Sequence, residues 1–171
     1  MGFAGSACGR ELAPARLEVL TQALISFQKA TDTCILLVPF QASQDLAIAQ
    51  AIQPRLPGPS KVLMLENPRQ LKGVFRGVEM AIAMRLHGLI MAASEECRCF
   101  ALSYDPKVRR LMNDLSMPGW ELEDIPTDSA SICQAWLDHY ANGDALSKDQ
   151  LRFLVDRALI HQEVLSQILQ G

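Results

Sequence analysis

The segment Met84-Arg85-Leu86-His87-Gly88 sets a guanidinium and an imidazole two residues apart, between an apolar run and a helical pattern. A helix opening near Leu86 would turn its first backbone N–H groups, and the positive end of its dipole, towards an anion. Arg85 adds a planar fork suited to a carboxylate or a phosphate. His87, in the first turn, can donate or shuttle a proton near neutral pH. Anion binding coupled to proton transfer is the chemistry this turn offers. A plainer reading stands beside it, with His87 satisfied beneath the helix and Arg85 a surface ion-pair partner.

A second polar group follows in Ser103-Tyr104-Asp105-Pro106-Lys107. Asp105 before Pro106 is a natural helix N-cap. Lys107 then lies in a first turn, where a cation opposes the dipole, so an anion nearby would account for it. Glu66 ends another apolar run and is either a general base or a loop residue. Gln41, Ser43 and Asp45 follow a further run, with Asp45 reading as a first-turn helix acid. His139 and His161 fall on helical patterns near the end, where surface or packing roles fit them.

These residues need elements to hold them at one rim. Leu17, Leu20, Leu24 and Phe27 recur at helical spacing over 14–31, with Pro14 suited to the first turn. Residues 34–38 form a continuous apolar run closed by Pro39, as in a strand buried on both faces. Ser43 is placed to cap a helix to about 53, stopped by Pro54, Pro57, Gly58 and Pro59. Further strands are predicted over 62–65, 78–83 and 98–103. Helices are predicted over 68–77, opened by Asn67 and Pro68, and then over 86–94 and 106–115. Two more, over 129–141 and 148–169, flank Asn142-Gly143-Asp144.

Strand and helix in alternation with short loops predict a Rossmann-like, mostly parallel sheet with helices on both faces, followed by a helical C-terminal tail. Ligands of such sheets bind outside the carboxyl ends of the strands, where the polar residues above all fall. The expected organisation is a poorly structured start over 1–12, an α/β lobe over 13–127 and packing helices over 128–171. The start conflicts with the pattern. The first strand of a doubly wound sheet normally takes the middle position, yet Gly2 to Leu12 is Gly-rich and poor in β-branched residues.

Composition narrows the class. Of 171 residues, 49% are hydrophobic and 20% charged, and 16 Lys plus Arg against 19 Asp plus Glu give −3. That balance offers no field for bulk nucleic-acid or anionic-membrane binding. The apolar runs 35–40, 80–84 and 89–93 are far shorter than a membrane span. MGFAGSACGREL has neither a basic n-region nor a long apolar h-region, so a cytoplasmic location is expected. Five scattered cysteines read as buried, unliganded thiols, with Cys97 and Cys99 on one face of a strand, and no metal site is expected.

Met84-Arg85-Leu86-His87-Gly88-Leu89, followed by Ser103-Tyr104-Asp105-Pro106-Lys107, resembles the polysaccharide pyruvyl transferase family, and more narrowly the C-terminal half of its cyanobacterial members. Leu37-Val38-Pro39-Phe40 with Gln44-Asp45 fits the same half, as does Glu66 after its strand. The likeness covers about 14–124. It implies one lobe of a two-lobed fold similar to GT-B glycosyltransferases, and an enzyme that moves pyruvate from phosphoenolpyruvate onto two sugar hydroxyls as a ketal. No other cofactor is implied. Carried over, Arg85 contacts the donor and His87 is the proposed acid. Lys107 is suited to the leaving phosphate and Glu66 to a hydroxyl proton, with Ser103 and Asp105 lining the donor side.

A full member is about twice this length, so the resemblance implies a missing N-terminal lobe, little activity in the chain alone and a surface open to self-association. Two other readings use the same fold. One is a sugar-nucleotide-binding glycosyltransferase-like lobe, and the other a non-catalytic α/β module that binds through its tail helices.

Overall fold

A computed structural model describes residues 13–65 and 67–154. Among the described residues, five strands alternate with six α-helices in chain order, ahead of a further helical stretch. They are α1 (Pro14–Thr31), β1 (Ile35–Leu37), α2 (Ala42–Ile52), β2 (Ser60–Val62), α3 (Pro68–Phe75) and β3 (Met80–Ala83), then α4 (Leu86–Ser94), β4 (Arg98–Ser103), α5 (Pro106–Leu115), β5 (Gly119–Glu121) and α6 (Ser129–Asn142). A short 3-10 turn over Gln53–Arg55 ends α2, and residues 148–154 are helical. The alternating α/β architecture expected from the sequence is present. All its strand pairs are parallel, β1 with β2 and β3 with β4 with β5.

The period-two alternation of β3 and β4 divides the interior into two cores. Met80, Ile82 and Met84, with Phe100 and Leu102, face Leu20, Leu24 and Phe27 of α1 and Ile132 and Trp136 of α6. Ala81, Ala83, Cys97, Cys99 and Ala101 face the other way, onto Leu89 and Ala92 of α4 and Val108 and Leu111 of α5. Bulky residues on one face and small ones on the other let α4 and α5 approach the sheet closely. Cys97 and Cys99 do share a face, and burial pushes their thiols up to about 11 and about 12. Cys34 is exposed, against the expectation of buried thiols throughout, because it precedes β1 rather than lying inside it. Cys8 lies outside the described residues, as do His161 and the last helix beyond 154. Leu151 and Leu154 at the start of that helix pack against the α4–α5 core, as its apolar stripe predicts.

Capping residues mark several boundaries. Asn67 and Asp105 accept from Arg69 N and Lys107 N, as expected, and Asp32 ends α1 in the left-handed region at φ 51°. Ser43 does not cap α2. Gln41 holds that position, and the carboxylate of Asp45 accepts the amides of Phe40 and Gln41 instead. The second strand begins two residues earlier than its apolar run. Gln28, buried at the end of α1, receives Gly58 N and donates to Thr33 O and Pro59 O, which fixes the chain ahead of β2 in register Ile35↔Ser60.

The sequence pattern offered no sign of β5, whose three residues follow a proline. Its place depends on Gly119. A Cβ there would lie 2.1 Å from the carbonyl oxygen of Ala101 and 2.9 Å from its nitrogen, both backbone atoms of the central strand. Gly119→Ala is therefore expected to cost about 1–3 kcal/mol or more, the range for overpacking a tight interior. Urea unfolding would check it, with an unchanged midpoint counting against this close approach.

Within the described residues the parallel sheet expected from the pattern falls into two parts. Among the described residues no strand joins β1 to β3, and the sheets are β1–β2 and β3–β4–β5. A cavity of about 250 Å³ lies between the N-terminal ends of β1 and β3, lined among others by Phe27, Cys34, Leu36, Val78, Met80 and Tyr140. The first strand of a doubly wound sheet would normally sit at this position. Residues 1–12 lie outside the described residues.

Candidate active site

At the opposite, carboxyl ends of the strands, three strand-to-helix turns converge. Residue 83 pairs with residue 101 in the β3–β4 register, so Arg85 and Ser103 leave adjacent strands at the same level. Neighbouring strands lie about 5 Å apart, so the Arg85–His87 turn and the Ser103–Lys107 turn form one rim. The β1–α2 turn reaches the same rim through an ion pair described below.

Arg85 is the N-cap residue of α4, in extended conformation at φ −98° and ψ 133°, and makes no side-chain cap. The first helical bond in this turn runs from Leu89 N to Arg85 O at 3.1 Å. The amides ahead of it belong to the end of the helix that has no partner within the helix. His87 occupies this first turn and is exposed. Gly88 follows for a packing reason. A Cβ on it would meet Phe40 at 3.2 and 3.3 Å, so glycine lets the start of α4 sit against the β1–α2 turn.

The guanidinium of Arg85 does not point freely outward. Its Nε donates to Oδ2 of Asp45 at 3.1 Å, its Nη2 to Oδ1 at 2.9 Å, and the same Nη2 to Oε1 of Gln44 at 3.3 Å. Oδ2 also accepts the amides of Phe40, at 3.0 Å, and Gln41, at 2.8 Å. The Asp45 side chain is 1% exposed and that of Arg85 15%. The plainer reading of Arg85 as an ion-pair partner is thus half right, for the pair is real but buried. Asp45 is a first-turn acid of α2, as expected, yet its main partner lies 40 residues on. Sequence reasoning passed over that role. The signal was the acid's place on the polar rim after the first apolar run.

The polysaccharide pyruvyl transferase family model matches residues 6–106. The chain belongs to the polysaccharide pyruvyl transferase family. No curated protein and no solved structure matches it. The match spans Asp45, Arg85, His87, Ser103 and Asp105 of this chain, and Lys107 follows one residue past its end.

The other residues singled out in the sequence take different positions. Ser103 is buried at 3% exposure, and its hydroxyl donates to Asp105 O at 3.2 Å, bracing the turn from below. Asp105 caps α5 through Lys107 N at 2.7 Å, which commits one carboxylate oxygen to the helix. Lys107 is exposed in the first turn of α5, on the rim. Glu66 lies outside the described residues. His139 packs against the Phe100 ring at 5.9 Å, away from the rim, and burial holds its pKa below the usual histidine value. Among the described residues no three His, Cys, Asp or Glu side chains are grouped to hold a metal, and no helix is long and apolar enough to cross a membrane.

Proposed function

We propose that this chain is the donor-side lobe of a pyruvyl transferase that moves pyruvate from phosphoenolpyruvate onto two hydroxyls of a sugar, within a cleft of the GT-B kind. The observation that carries the reading is the Arg85–His87 turn, where an anchored guanidinium, an exposed imidazole and the open end of α4 share one rim. Family membership supports the reaction class.

Phosphoenolpyruvate presents a carboxylate and a phosphate, and a helix N-terminus beside an arginine fork suits either group. The ring N–H of protonated His87 gives its proton to the methylene carbon, which becomes the ketal methyl. The electron pair of the C=C bond forms that new C–H bond and leaves C2 cationic. A sugar hydroxyl attacks C2 and sheds its proton to a base, a role suited to Glu66. The C2–O bond to phosphate then breaks, with Lys107 neutralising the departing charge. Loss of phosphate leaves C2 cationic again, and a second hydroxyl of the same sugar attacks it to close the ketal, giving its proton to the now neutral His87. The acceptor sugar enters from the surface facing the rim, where a second lobe would exclude water. A cytoplasmic setting, in which phosphoenolpyruvate is at hand, fits this chemistry.

Titration of phosphoenolpyruvate into the protein, followed by backbone amide NMR shifts, tests the assignment. Perturbations are expected at 85–88 and 104–107, and Arg85→Ala is expected to weaken binding on the order of tenfold or more, since charge-assisted bonds contribute about 1.5–3 kcal/mol. Binding that is indifferent to Arg85 would remove the donor site from this rim.

A further inference from the structure

Phe40 and Gly88 meet where the β1–α2 turn touches the first turn of α4. A Cβ on Gly88 would stand 3.2 Å from Cζ of Phe40 and 3.3 Å from its Cε2, and 3.6 Å from Cβ of Ala83. The first two distances fall below ordinary carbon–carbon contact. The space between the ring and the backbone of α4 thus holds a hydrogen but not a methyl group.

Neither side gives way easily. Leu89, Ala92 and Ala93 of α4 are wholly buried, in one core with Ala81 and Ala83 of β3 and Ala101 of β4. Small residues on that face leave no flexible side chain beneath the helix to take up a shift. Phe40 is held from its own end. It follows Pro39, whose ring fixes φ. Its amide donates to Oδ2 of the buried Asp45 at 3.0 Å, and its half-buried side chain packs against the α4–α5 core. The opening turn of α4 is therefore set by two surfaces, the small face of β3 and the Phe40 ring. His87 stands on that turn, one residue before Gly88, and the amides of both precede the first helical bond, from Leu89 N to Arg85 O.

We propose that Phe40 is a positioning residue for the donor site, a stop that fixes where the first turn of α4, with His87 and the leading amides, meets the donor's anionic group. This rests on the reading of that turn as the donor site. An aromatic ring suits the role because it has only two side-chain torsions and little freedom to lose. Groups fixed before the ligand arrives cost less to order on binding.

A size swap tests it. Gly88→Ala drives a methyl group against the ring, and Phe40→Leu removes Cζ and Cε2, the two atoms that methyl would meet. The measurement is phosphoenolpyruvate affinity by calorimetry for wild type, each single variant, the double variant and Arg85→Ala, each first shown to be folded by circular dichroism. Gly88→Ala is expected to weaken binding about fivefold or more, part of what a charge-assisted hydrogen bond contributes. Adding Phe40→Leu is expected to recover about threefold or more of that loss, although the double variant lacks the packed ring. A merely structural contact predicts instead that the two losses accumulate. Wild-type affinity in Gly88→Ala, or a double variant that binds no better than Gly88→Ala, overturns the proposal while the donor reading stands, provided Arg85→Ala loses affinity. If wild type does not bind phosphoenolpyruvate, or Arg85→Ala binds as wild type does, the donor reading falls and this proposal falls with it.

A second measurement uses the native chain and does not depend on a variant folding. A strong nuclear Overhauser effect is expected between the Phe40 ring and the Gly88 α-protons, both in the free protein and after addition of phosphoenolpyruvate. Its absence in the free protein, or its loss on binding, would show that the ring does not hold the turn and would overturn the proposal.

Discussion

Replacing His87 by glutamine is expected to lower the rate of pyruvyl transfer on the order of 10²–10⁴-fold, the usual contribution of a positioned general acid. Glutamine keeps a similar size and a hydrogen-bonding tip but has no transferable proton at neutral pH. The side chain is exposed in the first turn of α4, so unfolding midpoints are expected to change little. This separation makes the experiment informative. A transfer rate measured with phosphoenolpyruvate and a saccharide acceptor should fall while the urea midpoint holds. A rate within threefold of wild type would take the proton-donor role from His87 and leave it a rim residue. Comparison with Arg85→Ala then assigns the losses, since Arg85 is expected to act mainly through donor affinity and His87 mainly through kcat.

The second large effect is on stability. Asp45→Ala is expected to destabilise the fold by about 3–5 kcal/mol, because breaking a buried pair leaves an uncompensated charge. Here the loss is compound. Arg85, only 15% exposed, would lose its paired contact with the Asp45 carboxylate, and the amides of Phe40 and Gln41 would lose their acceptor. Asp45→Asn should cost less, as its oxygen retains those two amides. The pair between Glu18 and Arg55 supplies the contrast. It joins α1 to the turn after α2 at 2.6 Å but stands in solvent, where such pairs contribute little to stability. Denaturation curves of Asp45→Ala and Glu18→Gln should therefore separate widely. Similar midpoints for the two would show that the Asp45 pair is screened as a surface pair is.

What was legible in the sequence was whatever local physics fixes. Pro14 at the start of α1, and Asn67 and Asp105 at the caps of α3 and α5, stand where their backbone preferences put them. The run Arg98–Ser103 reads as a strand because it can be buried on both faces, and it is one. The M-R-L-H-G-L turn lies within the region that carries the family match, and its two chemical residues are two positions apart along the chain in any fold.

Tertiary structure decided the rest. No local signal marks Gly119–Glu121 as a strand, since three residues have no period and only the backbone of Ala101–Ser103 gives them a partner. The weak strand signal over 2–12 hinted at a difficulty in the middle of the sheet, but only the assignment of neighbours places the break among the described residues between β1 and β3. Above all, the sequence presents Asp45 and Arg85 as an acid and a base 40 residues apart, each with a sensible local role. Burial turns them into one unit. In water the pair would gain little, but once desolvated beneath the rim each requires the other, and the orientation of the guanidinium follows from that need.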